Sequence, residues 1–211
     1  MASLGSVLVL ILEGVGQTVG IRTGTEEPRY VVAERIGDVE IRRYAPRIAA
    51  ETTVTGPEVE ARNEGFRRVA GYIFGANSGR KSVAMTAPVA QAAASQTIAM
   101  TAPVAQAAGP SGAWRVQFFM PAKYTLATLP TPNDPAVRMV ELPAQDFAVL
   151  RFTGSRNAGA VAAKSRALSA ALQDSRWRAT GQPAAWFYDP PWTIPFLRRN
   201  EVAAPIQSAP T

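Results

Sequence analysis

The chain is 211 residues long, contains neither cysteine nor histidine, and carries a formal net charge of +6. Without cysteine it has no disulfide framework, thiolate nucleophile or Cys-ligated zinc or iron–sulfur site, and without histidine it lacks the commonest general base and transition-metal ligand. Hydrophobic residues at 47% against charged residues at 18% form an ordinary globular balance, and the length suits one well-filled core.

A pI of about 10.2 invites a nucleic-acid reading. The arginines, however, are scattered as pairs (Arg42-Arg43, Arg67-Arg68, Arg198-Arg199), each in a different predicted element. No Lys/Arg-rich run and no aromatic-interleaved RNA-binding signature is present, so no nucleic-acid partner is expected. No acidic run has calcium-loop spacing, and no metal site is expected either.

At the N-terminus, Leu4 to Ile21 is mostly apolar, with Glu13 its only charge. Such a segment is at the short limit for crossing a bilayer. No Lys or Arg precedes it, and no small-x-small cleavage site clearly follows. Residues 1–25 are read as a degenerate leader or single membrane anchor, with an N-terminal helix docked on the domain as the alternative. Residues 26–211 are read as one domain. The corresponding location is periplasmic or membrane-anchored, with a cytoplasmic alternative, and an N-terminal membrane contact follows from the first reading. Nothing specifies an oligomer, and a monomer is the expectation.

From Tyr30 the pattern is strand-like. Val39–Tyr44 and Ile48–Thr55 alternate with period two, and Gly56-Pro57 then opens a helix over Glu58–Phe74. Val59, Arg62, Phe66, Val69, Ala70 and Ile73 fall at helical spacing and predict its buried stripe. Val83–Ala93 then recurs as Ile98–Ala108, with only the first position changed, so that Met-Thr-Ala-Pro-Val occurs twice. Each copy reads as a short strand whose proline (Pro88, Pro103) sits at an edge, bulge or strand end. Met85 or Met100 can line a cleft, although a methionine in a strand is more often core.

Trp114–Met120, Val137–Leu142, Phe147–Thr153 and Ala184–Tyr188 are further strands. Asn157 caps a second helix running to about Asp174, with Val161, Ser165, Leu168 and Leu172 inward. Two halves, about residues 30–121 and 136–206, therefore repeat one topology, which predicts an α+β sheet or open barrel with a ligand cleft between helices and sheet.

Several motifs stand in a characteristic order: Gly37-Asp-Val-Glu-Ile-Arg-Arg-Tyr44, the doubled Met-Thr-Ala-Pro-Val, Val116-Gln-Phe-Phe-Met-Pro121 with Lys123-Tyr124, and Phe187-Tyr-Asp-Pro-Pro-Trp-Thr-Ile-Pro-Phe-Leu-Arg-Arg-Asn-Glu-Val202. Over about Glu27 to Ile206 the chain resembles the SOUL haem-binding family. The resemblance implies a distorted antiparallel β-barrel with two helices, a pseudo-two-fold repeat of a β-β-α-β unit related to bacterial effector-binding domains. It implies non-enzymatic binding of haem or a related tetrapyrrole in an apolar cleft against the first helix, completed by a nearby loop, with basic side chains near the propionates.

The two basic positions of animal members fall on Asn63 and Gly71 here, leaving Arg67 or Arg68 to supply the charge. Some relatives use an axial histidine, which this chain lacks, so burial and a Met or Tyr contact would hold the ligand. The candidate ligand residues are Phe66, Ala70 and Ile73 as a platform, Arg67 for charge, and Met100, Phe118 and Tyr188 facing it. The alternatives are a general apolar-ligand or effector-binding module and a small-molecule hydrolase using a carboxylate and a tyrosine. For the hydrolase the acids to consider are Glu40, Glu64 and Glu201. Glu64 lies on the outer side of the helix, and Glu201 sits beside Arg198 and Arg199, where an ion-paired role is expected. A carboxylate buried beside a tyrosine without an arginine partner would mark the hydrolase.

Overall fold

The structure, a computed structural model, describes residues 25–79, 96–109 and 112–209. The first copy of the repeat, with Met85 and Pro88, and the apolar leader up to residue 24 lie outside the described residues. The strands are β1 Tyr30–Ile36, β2 Val39–Tyr44, β3 Arg47–Thr55, β4 Asn77–Ser78, β5 Val104–Ala108, β6 Ala113–Phe119, β7 Thr131–Pro132, β8 Arg138–Leu142, β9 Gln145–Phe152, β10 Trp177–Ala179, β11 Ala184–Phe187 and β12 Asn200–Ser208. Helix α1 spans Glu58–Ile73 and α2 spans Ala158–Gln173. The fold class is α+β with antiparallel strands and two helices, as the sequence predicts. No helix among the described residues is long and apolar enough to cross a membrane.

These residues sort into two compact units. The first comprises Tyr30–Tyr44 and the described part of Asp146–Thr211. Its strands run β1-β2-β9-β12-β11, with β10 on β12. The β1–β2 hairpin closes between Ile36 and Val39 through Gly37-Asp38, and Gly37 supplies the positive φ of 55° that so tight a turn requires. Val39, Ile41, Ala148, Leu150, Phe152, Val202 and Ala204 present one face of this sheet to Leu168 and Leu172 of α2. The Asn157 side chain caps α2 by accepting from the Ala160 N–H at 2.8 Å.

The second unit comprises Glu26–Arg29 and the described parts of Ala45–Gln145, with strand order β5-β6-β3-β8, a separate β4–β7 ribbon, and α1 lying on β3 and β6. Its core gathers Ala50, Val69, Tyr72, Ile73, Ile98, Val116, Phe118, Met120 and Leu129. The sequence division into halves at 30–121 and 136–206 needs one correction. The β1–β2 hairpin belongs with α2, because β2 pairs with β9 and not with β3.

The face that α1 buries is also rotated from the predicted stripe. Ala61, Arg62, Gly65, Val69, Ala70, Tyr72 and Ile73 are buried, whereas Val59 and Phe66 are 44% and 42% exposed. Small residues at 61 and 65 let the helix approach the sheet closely. A Cβ on Gly65 would stand 2.6 Å from Val116 Cγ2, and Val116 is itself fully buried. Gly65→Ala is therefore expected to cost roughly 1–3 kcal/mol in overpacking, more than the ~1 kcal/mol that alanine gains in helix propensity. A urea midpoint equal to or above that of wild type would refute this close seating.

Candidate functional site

Helix α1 forms because its inward positions repeat at three and four residues, and Pro57 fixes the backbone immediately before its first turn. The second copy of the repeat runs along it. At one end the Ile98 N–H donates to the Ile73 carbonyl at 2.9 Å, and at the other the Gln106 side chain donates to the Glu58 carbonyl at 3.0 Å. Asn77 secures the first end by donating to the carbonyls of Tyr72 and Gln96 and accepting from the Gln96 N–H. Pro103 stands just ahead of β5, at the strand end where proline is tolerated. The Met-Thr-Ala-Pro-Val segment is thus brought against α1, and Met100 is 38% exposed.

Phe66 lies on the outer flank of α1 with its ring centroid 5.3 Å from that of Phe118 and tilted by 52°. Phe118 is fully buried, so it backs Phe66 from inside the core. Ile73 and Ala70 are likewise buried beneath the flank. Arg67 is largely exposed and pairs with Glu64 at 2.6 Å, while Arg68 takes the other oxygen of Glu64 at 2.8 Å. Exposed pairs of this kind are worth little and are easily redirected. Arg62 differs: burial pulls its pKa down, and the charge of Glu58 offsets that only in part.

Of the seven candidate residues, the structure therefore places six in the second unit. Phe66, Arg67 and Met100 reach solvent, whereas Ala70, Ile73 and Phe118 pack beneath. Tyr188 is in the first unit, nearly buried, with its hydroxyl donated to Glu201. A separate groove of about 620 Å³ in the second unit is walled by Pro28, Pro46, Ile48, Phe119, Met120 and Leu142, with Glu26, Arg29, Arg47 and Glu141 also lining it. Its volume suits a small molecule. None of the seven residues lines it. Phe119 faces it because successive residues of β6 point to opposite sides of the sheet.

Sequence reasoning reached only part of a second cluster, in the first unit. Arg42 grips Glu201 with two N–H···O bonds of 2.8 and 3.1 Å, and Arg199 donates to the same carboxylate at 3.0 and 2.9 Å. Tyr188 adds a bond of 2.7 Å to Glu201. The guanidinium of Arg42 stacks over Tyr30 and that of Arg199 over Tyr188. Burial alone would lower the Arg42 pKa, but the hydrogen bonds and charge of Glu201 outweigh it and raise it. Burial also pulls Glu40 upward, yet Arg42 and Arg35 hold its carboxyl below the usual range. Arg198, the neighbour expected beside Glu201, instead donates to the Thr193 and Pro191 carbonyls. In the sequence, the adjacency of Arg199 to Glu201 pointed to an ion-paired carboxylate, and the alternation that turns Arg42 and Tyr44 to one face was the further hint.

Burial raises both Tyr44 and Tyr188 above the ordinary tyrosine value of 10.0. Below about pH 10 both are protonated whether folded or unfolded, so they confer no pH dependence there. Above it the unfolded chain ionises first, and stability is expected to fall as pH rises. Urea midpoints at about pH 9 and pH 11 should show this fall, and Tyr44→Phe should reduce its slope. An unchanged slope in that variant would count against a burial-shifted Tyr44.

Antiparallel sheets that each carry one helix define the class of the protein as α+β. The C-terminal domain of EcmrR shares the fold, with a TM-score of 0.58 at 10% identity, covering 81% of this chain and 98% of that one. EcmrR in an EcmrR–DNA complex gives 0.56 at 10% identity, over 96% of this chain and 65% of that one. A hydrolase from Listeria innocua gives 0.47 at 9% identity, over 88% and 94%. Likeness at such identities concerns the fold alone. No curated protein sequence matches the chain. The chain belongs to the SOUL heme-binding protein family, whose sequence model matches residues 25–205.

Proposed function

We propose that the protein binds haem or a related tetrapyrrole on the outer flank of α1, without a histidine ligand and without catalysing a reaction. One observation carries this reading: Phe66 stands 42% exposed on a helix face while a fully buried phenylalanine, Phe118, supports its ring. A large apolar side chain held out of the core by a rigid backing is a platform for a planar apolar ligand. Val59, seven residues before Phe66 on the same helix, is also exposed, Ala70 and Ile73 are buried, and Arg67 supplies an exposed cation for a propionate.

The donor set fits a tetrapyrrole held mainly through its ring. Haem when bound supplies an iron centre. Of the seven candidate residues, Met100 offers a soft thioether and Tyr188 a phenol, and the phenol is already engaged by Glu201. Burial at ~25 cal/mol per Å² supports micromolar affinity once association costs are met.

The hydrolase alternative is disfavoured by Glu201. It is buried beside Tyr188 as such an acid would be, but two guanidiniums hold it. Its two oxygens are taken up by Arg42, Arg199 and Tyr188, where a hydrolase acid would face a substrate or water. The leader reading of residues 1–25, with a periplasmic or membrane-anchored location, belongs to the same proposal. Hemin titrated into purified apoprotein should give a saturable Soret change in the micromolar range. No saturation at tens of micromolar would sink the haem assignment in favour of a general apolar-ligand module.

A further inference from the structure

The proposed function makes no use of the loop between β11 and β12. Residues 189–199 read Asp-Pro-Pro-Trp-Thr-Ile-Pro-Phe-Leu-Arg-Arg, and three large apolar side chains leave it into solvent: Trp192 at 62%, Phe196 at 71% and Leu197 at 36% exposure. The loop is firmly built despite this exposure. Thr193 is fully buried beneath it, and a short 3-10 turn, Pro195–Leu197, carries Phe196 and Leu197 outward.

Much of the loop's main chain is bonded within the protein. The carbonyls of Pro191 and Thr193 both accept from the Arg198 side chain, at 2.8 and 2.7 Å. The Pro190 carbonyl accepts from the Thr193 N–H, that of Ile194 from Leu197, and that of Pro195 from Gly154 and Arg198. The Asp189 carbonyl accepts from Arg156, and its carboxylate accepts from the Arg199 N–H. Pro190, Pro191 and Pro195 have no N–H to leave unpaired. Exposed loops ordinarily bond their carbonyls to water. Here six carbonyls are bonded within the protein, which lowers the cost of entering a medium poor in hydrogen-bond donors.

Charge points the same way. Arg156 and Arg198 border the base of the loop, Arg199 beside them being paired with Glu201, and Asp189 is the loop's only acidic residue, on a chain of net charge +6. A tryptophan and a phenylalanine projecting beyond Arg156 and Arg198 match the layering of a bilayer interface with anionic headgroups. A protein partner that added a strand would need free main-chain groups, and here these carbonyls are already bonded.

We propose that the 189–199 loop is a membrane-docking device that inserts Trp192, Phe196 and Leu197 into the interface of an anionic lipid surface. Full-length protein should bind phosphatidylcholine vesicles containing about a third phosphatidylserine, and bind pure phosphatidylcholine vesicles less well. The Trp192→Ser/Phe196→Ser variant should lose about tenfold or more in partitioning. Its far-UV dichroism should be unchanged, since both side chains lie outside the core. Brominated lipid should quench wild-type fluorescence, and that quenching should fall in Trp192→Ser. Equal vesicle binding by wild type and the double variant would overturn the proposal and leave the N-terminal segment as the lipid contact. Absence of vesicle binding by wild type would also overturn it. If instead the variant abolished a concentration-dependent dimer in sedimentation, and no vesicle bound, the loop would be an interface with a second copy of the chain.

Discussion

Glu201→Ala is expected to remove roughly 3–5 kcal/mol of folding stability, a large share of the ~5–15 kcal/mol a domain of this kind possesses. The carboxylate is fully buried and receives five hydrogen bonds, from Arg42, Arg199 and Tyr188. Deleting it leaves the buried Arg42 guanidinium beside Arg199, with Glu40 the remaining carboxylate paired with Arg42 among the described residues. The penalty comes from the stranded cations more than from the lost attraction. Replacing Arg42 together with Glu201 by apolar residues should therefore recover part of the loss, a non-additivity that a double-mutant cycle would read. The exposed pair Arg43–Asp146 supplies the contrast, and Asp146→Ala should cost less than ~1 kcal/mol. A loss below ~1 kcal/mol for Glu201→Ala would mean that water reaches the cluster.

Phe118→Ala is expected to cost roughly 3–5 kcal/mol and to weaken ligand binding at the same time. Phe118 lies at the junction of β6 with α1, fully buried among Val69, Ile73 and Met120. Removing its ring opens a cavity directly behind Phe66, which would then fold inward. Phe118→Leu keeps most of the volume and should retain most of the stability. Chemical denaturation measures the first effect, and a Soret titration at low temperature, where the variant stays folded, measures the second. Wild-type stability in Phe118→Ala would contradict the placement of this residue in the core.

Local structure was legible where one periodicity acted over several residues. The two helices, the Asn157 cap and strands such as Val39–Tyr44 follow from spacing, because each element must turn one apolar face inward. Non-local pairing was not legible in this way. Nothing near Tyr44 states that β2 will pair with β9, about a hundred residues on, and Arg42 meets Glu201 across 159 positions. The rotation of α1 was hidden for a different reason. A hydrophobic stripe gives weight to Val59 and Phe66, whereas the helix packs through Ala61 and Gly65, whose value lies in the space they leave. That same rotation leaves Phe66 on the exposed flank, backed by Phe118. The hydroxyl of Tyr188 goes to a buried carboxylate thirteen residues on, a partner that no periodicity signals.

The central claim is that an exposed aromatic platform on α1 holds a tetrapyrrole without histidine. It is tested most directly by titrating hemin into wild type and Phe66→Asp side by side. Phe66 is a surface side chain, so the variant should keep wild-type dichroism, and the charge it places on the platform repels an apolar ring. The account predicts a saturable Soret change in wild type and an affinity at least about tenfold weaker in Phe66→Asp. Equal affinities in the two proteins would contradict it and move the ligand to another site, such as the groove beside Phe119 and Met120.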